Sequence, residues 1–225
     1  MPRQWKNSPA RKKCFDMKVI ILGDGGHSKV IQEMIMALGR HEIVAVLDDK
    51  YDQGFQLKGM IHAPISFLVK LLRPGIRVVV AIGDNKIRKT ITENLNLLPE
   101  QFMTVIHPTA VVSSSAAIGH GTVVMPHVVV NARAEIGSHC IINSASVIEH
   151  DNEIGSFTHV SPNATFAGNV TCGEGVHAGS AATVIPDMHL GSWSIIGAGS
   201  TVIENIPAYS KAVGSPTRII ERLLI

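Results

Sequence analysis

The chain has 225 residues, of which 45% are hydrophobic but only 4% aromatic, so it can bury a sizeable core of aliphatic side chains. Residues 1–16 carry five basic residues against Asp16, a net charge of +4 that leaves −2 for the rest of the chain. That balance excludes a basic nucleic-acid surface. The three cysteines, Cys14, Cys140 and Cys172, form no C-x-x-C pair, which argues against a disulfide framework or a zinc knuckle.

The pattern of the chain changes at three points. We expect residues 1–16 to form a basic, flexible tail and not a signal peptide, because the apolar run after it, Val19–Leu22, is short. An α/β segment is predicted over 17–105, a repeat over 106–207 and a closing segment over 208–225. No apolar stretch is long enough to span a bilayer, so we expect no membrane insertion and a cytoplasmic location.

Residues 17–105 alternate apolar runs with helical periods, which predicts a small parallel, Rossmann-like α/β domain. The predicted strands are Lys18–Leu22, Ile43–Leu47 and Arg77–Ile82, and the predicted helices are Ser28–Leu38, Ile65–Leu72 and Lys86–Leu95. Ligands of such sheets bind beyond the carboxyl ends of the strands. The segments that follow the strands, Gly23–His27, Asp48-Asp49 and Gly83–Asn85, should therefore line one crevice.

The first of these segments is a glycine-rich turn, and a turn of this kind before a helix offers backbone N–H groups to a phosphate. Ser28 stands where the dinucleotide fingerprint G-x-G-x-x-G has its third glycine, which weakens a nicotinamide oxidoreductase hypothesis. Asp48 and Asp49 either accept hydrogen bonds from a ribose or base or belong to a solvated turn. Arg88 is either a phosphate contact or a charge on the helix surface.

From Ile106 to Ile206 the chain repeats every six residues. Each repeat opens with an apolar residue, as at Ile118, Val124, Val130, Ile136, Ile142, Ile148, Ile154, Val160, Phe166, Cys172, Ala178, Val184, Leu190, Ile196 and Val202. The position four residues further on is mostly small. An interval of six does not fit a helix, and it predicts a β-helix of stacked coils with an aliphatic interior.

A second period of eighteen residues is superposed on the first. It is carried by glycines that follow the opening residue of every third repeat: Gly119, Gly137, Gly155, Gly173 and Gly191. Three repeats therefore make one triangular coil. We expect these glycines at one corner, in a conformation with positive φ.

Two histidines of the repeat suggest chemistry. His150 is third in its repeat, so its side chain can point outward as a general base, for which a neutral imidazole of pKa ~6.5 is suited. Asp151, or with less support Glu149, can fix its tautomer. His159 lies half a coil away, so the two rings can converge only across a subunit boundary, as in a trimer. His177 should stack one coil above His159.

Other uses of the repeat have less support. The remaining surface histidines, His120, His127, His139 and His189, are interpreted as polar surface residues. No two histidines are five residues apart, so a metal site on the coils is not expected. Serine or cysteine nucleophiles are also not supported, because the chain has no G-x-S-x-G and its repeat-domain cysteines should point inward.

Four stretches together resemble the NeuD/PglD type of sugar acyltransferases, to which EpsM-like exopolysaccharide acetyltransferases belong. They are Ile20–His27, Leu47–Asp49, Ala81–Arg88, and Asn143–His150 followed by His159. The resemblance implies a left-handed β-helix, a homotrimer with active sites between subunits, acetyl-CoA as donor, no metal, and a sugar amine or hydroxyl as acceptor in surface-polysaccharide or glycan assembly. In PglD-like members, the N-terminal domain holds the uridine diphosphate of a nucleotide-linked amino sugar.

The resemblance also implies roles for individual residues. His150 matches the general base and Asp151 its acidic neighbour, while Asn143 matches a residue beside the acceptor sugar and His159 a donor contact. Nucleotide contacts match Gly25, Gly26, His27, Asp48, Asp49 and Gly83, and the backbone of the pantetheine groove matches Gly168, Ser180 and Ala198. The segment Val213–Arg218 resembles the closing segment of the family.

The predicted function is direct acetyl transfer from acetyl-CoA to the amino group of a UDP-linked amino sugar, with His150 as base and a backbone N–H holding the oxyanion. One alternative is a sialic-acid-type sugar O-acetyltransferase whose N-terminal domain binds another ligand. A second, of another class, is a non-catalytic trimeric scaffold in a polysaccharide-assembly complex.

Overall fold

The computed structural model describes residues 16–223, and residues 1–15 of the predicted tail lie outside this range. The first unit is an α/β domain with a five-stranded sheet of order β3-β4-β2-β1-β5, parallel except between β3 and β4. The strands are β1 Met17–Leu22, β2 His41–Leu47, β3 Phe55–Leu57, β4 Met60–Ala63 and β5 Ile76–Val80. The helices are α1 Gly26–Leu38, α2 Leu68–Leu71 and α3 Asn85–Asn94, and 3₁₀ turns occupy Ile65–Phe67 and Pro99–Gln101.

Local sequence explains most of these elements. Val19–Leu22 is fully buried, as expected for a central strand covered on both faces. Helix α1 buries one apolar face and ends at Gly39, whose left-handed conformation closes the last turn. Helix α3 begins at Asp84, whose side chain accepts a hydrogen bond from the Ile87 N–H at 2.9 Å.

The structure of this domain differs from the sequence-based prediction in two elements. The helix predicted over Ile65–Leu72 is a 3₁₀ turn followed by a single α-helical turn, after which Leu72 is extended. The hairpin of β3 and β4 was not predicted, because β3 is exposed along its whole length and has no buried alternation. Its two-residue loop, Lys58-Gly59, has positive φ at both positions, which is the geometry that favours a tight hairpin.

The second unit is a triangular parallel β-helix with three faces, each strand pairing with the strand eighteen residues away. The histidine face consists of Val105–Ile106, Val123–Val124, Ile141–Ile142, His159–Val160, His177–Ala178 and Ile195–Ile196. The valine face consists of Val111–Val112, Val129–Val130, Val147–Ile148, Thr165–Phe166, Thr183–Val184 and Thr201–Val202. The glutamate face consists of Ala117–Ile118, Glu135–Ile136, Glu153–Ile154, Thr171–Cys172 and His189–Leu190.

Three corners join these faces. The docked corner, between the glutamate and histidine faces, comprises turns 119–122, 137–140, 155–158, 173–176 and 191–194. The Asn143 corner lies between the histidine and valine faces, and the His150 corner lies between the valine and glutamate faces. The chain closes with Ser210–Val213, which extends the histidine face in parallel, and with Arg218–Arg222, which pairs with it antiparallel.

The aliphatic interior follows the predicted pattern. Every opening residue of the repeats from Val124 to Val202 is buried, and so are the small residues four positions later. Cys140 and Cys172 are among these inward-pointing side chains, as predicted, and burial raises the pKa of the Cys140 thiol to about 12. The apolar interior of the coils is continuous with the α1 side of the sheet, so the two units share a core.

The predicted reason for the glycine column is wrong. Gly119, Gly137, Gly155, Gly173 and Gly191 are outside the positive-φ region, which falls two residues later and is occupied by His139, Phe157 and Trp193 as well as by Gly121 and Gly175. The column needs glycine because the coils approach closely. A Cβ at Gly155, for example, would lie 2.5 Å from the backbone carbon of Gly173.

His139 is also not the surface residue that its position suggested. It is only 7% exposed, and its ring is stacked against Phe157 at 5.2 Å and packed edge-on to Phe102 at 4.6 Å. The contact with Phe102, which lies at the end of the α/β domain, shows why the repeat alone misplaced it. A residue that would face solvent on an isolated β-helix is covered here by the first domain.

Candidate functional site

The glycine turn after β1 opens toward solvent. Gly25 is the residue before α1, no side chain caps the helix there, and a Cβ at Gly25 or Gly26 would meet nothing within 4 Å. Gly23 has a φ of +102°, and a Cβ there would lie 2.9 Å from the Ala81 carbonyl oxygen. The turn thus leaves the first N–H groups of a 13-residue helix available to an anionic ligand.

A network of polar side chains fixes Asp24 in this turn. Its N–H donates to Asp48 Oδ2 at 2.6 Å, and its carboxylate forms an ion pair with Lys50 at 2.9 Å and accepts a hydrogen bond from the Tyr51 hydroxyl. Lys50 also donates through its backbone N–H to Asp48 Oδ1 at 2.9 Å. Lys50 and Tyr51 were not singled out from the sequence, because their partners are 26 and 27 residues away.

The two predicted ribose contacts therefore have structural partners already. Both Asp48 oxygens accept backbone N–H groups, and Asp49 Oδ1 accepts the Ile65 N–H at 2.9 Å. The ligand contacts predicted for Asp48 and Asp49 stay predictions, but Asp48 has a clear structural role. It organises the glycine turn, while the second oxygen of Asp49 keeps its acceptor capacity.

Gly83 lies at the mouth of a groove of about 970 Å³ between the two units. One wall is the loop Gly83–Lys86, the floor is His159, His177 and Ile195 of the histidine face, and the far side is Trp193 and the end of the last strand. A shallower groove of about 720 Å³ runs along the glutamate face, and it contains none of the predicted site residues. Of the predicted site residues, the interdomain groove contains Gly83 and His159.

The imidazoles of His159 and His177 form the floor of this groove and stack at 4.9 Å, as predicted from their spacing. His159 Nε2 lies 3.1 Å from the Asn143 amide nitrogen, so it accepts a hydrogen bond and the ring proton belongs on Nδ1. That Nδ1 is buried against the backbone of Gly83. Nε2 of His27 is also buried, and it has no hydrogen-bond partner among the described residues.

Burial keeps these imidazoles uncharged. Burial, together with the neighbouring His177 and Arg88, lowers the pKa of His159 to about 3. It also lowers the pKa of His27 to about 4, with Arg88 again adding to the effect. At neutral pH both rings are therefore uncharged, with one N–H donor and one acceptor each, and in His159 the acceptor is taken by Asn143.

His150 lies on a different corner. Its side chain is 60% exposed, and Nδ1 lies 2.7 Å from Asp151 Oδ2. Asp151 is held in turn by Arg133, whose Nε donates to Oδ1 at 2.6 Å. Arg133 and then His150 lower the pKa of Asp151 to about 2, so the carboxylate is ionised and fixes the Nδ1–H tautomer. The exposed Nε2 is left with a free lone pair.

The structure also shows where Glu149 and the predicted pantetheine contacts lie relative to His150. Glu149, the other residue considered for orienting it, accepts a hydrogen bond from the Asn131 side chain at 2.9 Å and is directed away. Gly168 lies directly under the imidazole, since a Cβ there would be 2.6 Å from His150 Cε1. The predicted pantetheine contacts Ser180 and Ala198 are exposed on the Asn143 corner, one face away.

Arg88 contradicts both interpretations made from the sequence. It is 1% exposed, so it is neither a helix-surface charge nor a phosphate contact. Its guanidinium instead bonds to backbone carbonyls of both structural units. Among residues 16–223 there is no cluster of three metal-ligand side chains, and no helix is long and apolar enough to cross a membrane.

Comparisons with known proteins agree with this architecture. Residues 18–95 match the model of the PglD N-terminal domain. The chain is 33% identical to a histidine-to-asparagine variant of perosamine N-acetyltransferase from Caulobacter crescentus, solved with CoA and GDP-perosamine, at a TM-score of 0.83 over 91% of this chain and 97% of that one. The chain belongs to the PglD-type sugar acetyltransferases.

Other members of this family are similar over different lengths. The acetyltransferase domain of PglB from Neisseria gonorrhoeae, in complex with acetyl coenzyme A, is 35% identical with a TM-score of 0.82, over 91% of this chain and all of that one. UDP-N-acetylbacillosamine N-acetyltransferase of Bacillus subtilis is 46% identical over 106 residues, which is 46% of this chain and 49% of that relative. The predicted fold, a Rossmann-like domain followed by a left-handed β-helix, is confirmed.

Proposed function

We propose that this PglD-type protein transfers an acetyl group from acetyl-CoA to the amino group of a nucleotide-linked amino sugar. The acceptor amine loses its proton to His150 Nε2 and attacks the thioester carbonyl, and the CoA thiolate leaves. The observation that carries this proposal is the hydrogen bond from His150 Nδ1 to an ionised Asp151 beside an exposed Nε2. Relatives solved with CoA and GDP-perosamine, or with acetyl coenzyme A, support the two substrates.

The nucleotide is assigned to residues 17–105 and the transfer to residues 106–207, with residues 208–223 closing the β-helix. The open helix end at Gly25 and Gly26 suits the diphosphate. Asn143 is assigned to the acceptor sugar and His159 to the donor. With acetyl-CoA and a nucleotide sugar as substrates, we expect the protein to act in the cytoplasm.

A complete site needs a second subunit. His150 and the pair of Asn143 and His159 lie at opposite edges of the valine face, so one chain cannot bring them to the same acceptor and donor. The outward side chains of this face are Val and Thr, and Val111 is 64% exposed, which suits packing against a copy of itself. We propose a homotrimer in which His150 of one subunit meets the groove of the next.

The test is free-thiol release from acetyl-CoA with UDP- and GDP-linked 4-amino sugars as acceptors. His150→Ala should lower turnover by roughly 10²- to 10⁴-fold because the amine loses its proton acceptor. His189→Ala, a change of an exposed histidine on the glutamate face, is the matched control and should retain wild-type turnover. Full activity of His150→Ala would refute the base assignment.

The same assay separates the alternatives. Thiol release only with hydroxyl acceptors would indicate an O-acetyltransferase. No release with any acceptor would leave the trimeric scaffold as the function. Sedimentation of the wild-type protein tests the assembly, and a monomer with full activity would contradict a site shared between subunits.

A further inference from the structure

The guanidinium of Arg88 is the most completely bonded side chain at the boundary of the two units. On its own side, Nη1 donates to the carbonyls of Ile82 at 2.9 Å and Gly83 at 3.1 Å, and Nη2 donates to Asn85 Oδ1 at 2.8 Å. These acceptors belong to the loop that follows β5 and forms one wall of the interdomain groove. Arg88 therefore fixes the backbone of that wall directly.

The other two N–H groups of Arg88 reach the β-helix. Nε donates to the His139 carbonyl and Nη2 to the Phe157 carbonyl, each at 2.8 Å. His139 and Phe157 are equivalent positions of successive turns at the docked corner, eighteen residues apart. All five guanidinium protons are thus used, and a single planar group spans the wall of the groove and two coils beneath it.

Other side chains on the same face of α3 make further contacts with the β-helix along the docked corner. The Asn85 amide donates to the carbonyls of Gly175 at 3.1 Å and Val176 at 3.2 Å, in the next coil. Lys89 pairs with Glu174 at 3.1 Å, but it is more exposed and also pairs with Glu93 on its own helix. Helix α3 is therefore held against three successive turns, with its buried contacts made by Asn85 and Arg88.

The hydrogen bonds of Arg88 indicate that it aligns the two units as well as holding them together. A buried cation without a carboxylate partner is costly, and apolar side chains can join two units at lower cost. Apolar contacts do not fix the angle and register of the groups they join, whereas the planar guanidinium fork of Arg88 fixes both for the groups that accept its hydrogen bonds. The loop that it holds, Gly83–Asn85, lines the same groove as His159.

We infer that Arg88 is a positioning residue, which sets the loop Gly83–Asn85 of the nucleotide-binding unit against the histidine face so that a nucleotide-linked sugar reaches the acetyl donor in register. This inference rests on the proposed function. Acetyl-CoA is expected to bind to the β-helix, so loss of the fork should affect the acceptor selectively.

The experiment compares Arg88→Lys with Lys89→Met. Lysine keeps the charge but cannot form the five-fold fork, whereas Lys89→Met removes an interdomain ion pair and spares the fork. Arg88→Lys should raise the KM for the nucleotide amino sugar at least tenfold and lower kcat, with the KM for acetyl-CoA changed less than twofold. Lys89→Met should leave all three constants near wild type. Wild-type constants for both substrates in folded Arg88→Lys, or equal losses for both, would overturn the inference.

Two further measurements keep the result decisive. If Arg88→Lys does not fold, Asn85→Ala replaces it, and a three- to tenfold rise in the acceptor KM alone supports the positioning role while unchanged constants refute it. If the wild-type protein transfers no acetyl group, the proposed function fails by itself. Hydrogen exchange then decides the inference: amides of Gly83–Asn85 should exchange faster in Arg88→Lys than in Lys89→Met, and equal exchange contradicts it.

Discussion

The docked corner and the His150 corner are built from the same six-residue repeat, but they have opposite environments. At the docked corner, helix α3 covers the turns, and Arg88 and His139 are almost completely buried. At the His150 corner the imidazole is 60% exposed, and its hydrogen bond to Asp151 comes from the same turn. The repeat supplies the scaffold at both corners. Whether a corner becomes a contact between the two units or a reactive site depends on what covers it.

The largest expected effect is the loss of stability on replacing a glycine of the docked corner. A Cβ at Gly155, on the docked corner, would lie 2.5 Å from the Gly173 backbone carbon, and backbone in a coil can move little. We expect Gly155→Ala to destabilise the protein by about 3 kcal/mol or more. Chemical denaturation measures this, and a variant as stable as wild type would show that the coils can separate at this corner.

The matched change at the His150 corner should affect activity instead. A Cβ at Gly168 would lie 2.6 Å from His150 Cε1 and 2.8 Å from Nε2, and an exposed side chain can rotate away. Gly168→Ala should therefore lower acetyl transfer by about 10²-fold through displacement of the base, with less than about 1 kcal/mol lost in stability. Turnover and denaturation midpoints are measured on the same sample. Unchanged turnover would contradict the placement of the reactive imidazole above Gly168.

The two corners also differ in how far sequence could predict them. The period of six located the inward residues and predicted an outward His150, and the adjacent Asp151 suggested its hydrogen bond. Both features are local properties of the sequence. The glycine period was found, but its cause was misassigned, since positive φ falls at His139 and Phe157 and close approach of coils has no local signal. The stack of His159 and His177 followed from the eighteen-residue coil.

The joint at Arg88 could not have been found from the sequence. Two of its acceptors, the carbonyls of His139 and Phe157, lie 51 and 69 residues away and are backbone atoms, which carry no residue-specific pattern. The same limit applies to Lys50 and Tyr51, which bond to Asp24 across the sheet edge. Asn85 and Arg88, three residues apart, share one face of α3, and only the docking of the two units decides that this face is buried.

The smallest expected effect concerns His139 and its burial at the docked corner. Burial, with a contribution from the charge of Arg88, lowers the pKa of His139 to about 4. The unfolded chain, with a pKa near ~6.5, then binds a proton more readily than the folded protein between about pH 6.5 and 4. The free energy of unfolding should therefore fall as the pH falls through this window. His27 and His159 contribute with the same sign.

His139→Phe isolates one part of this dependence. Phenylalanine keeps a ring between Phe102 and Phe157 and removes the titrating group, whose Nδ1 has no partner among the described residues. Between pH 7.5 and 5 the wild-type protein should lose on the order of 2 kcal/mol more stability than the variant. Urea unfolding at the two pH values measures the difference. Parallel losses would mean that the joint opens enough at pH 5 to hydrate His139, and the docked corner would then be less rigid than its hydrogen bonds indicate.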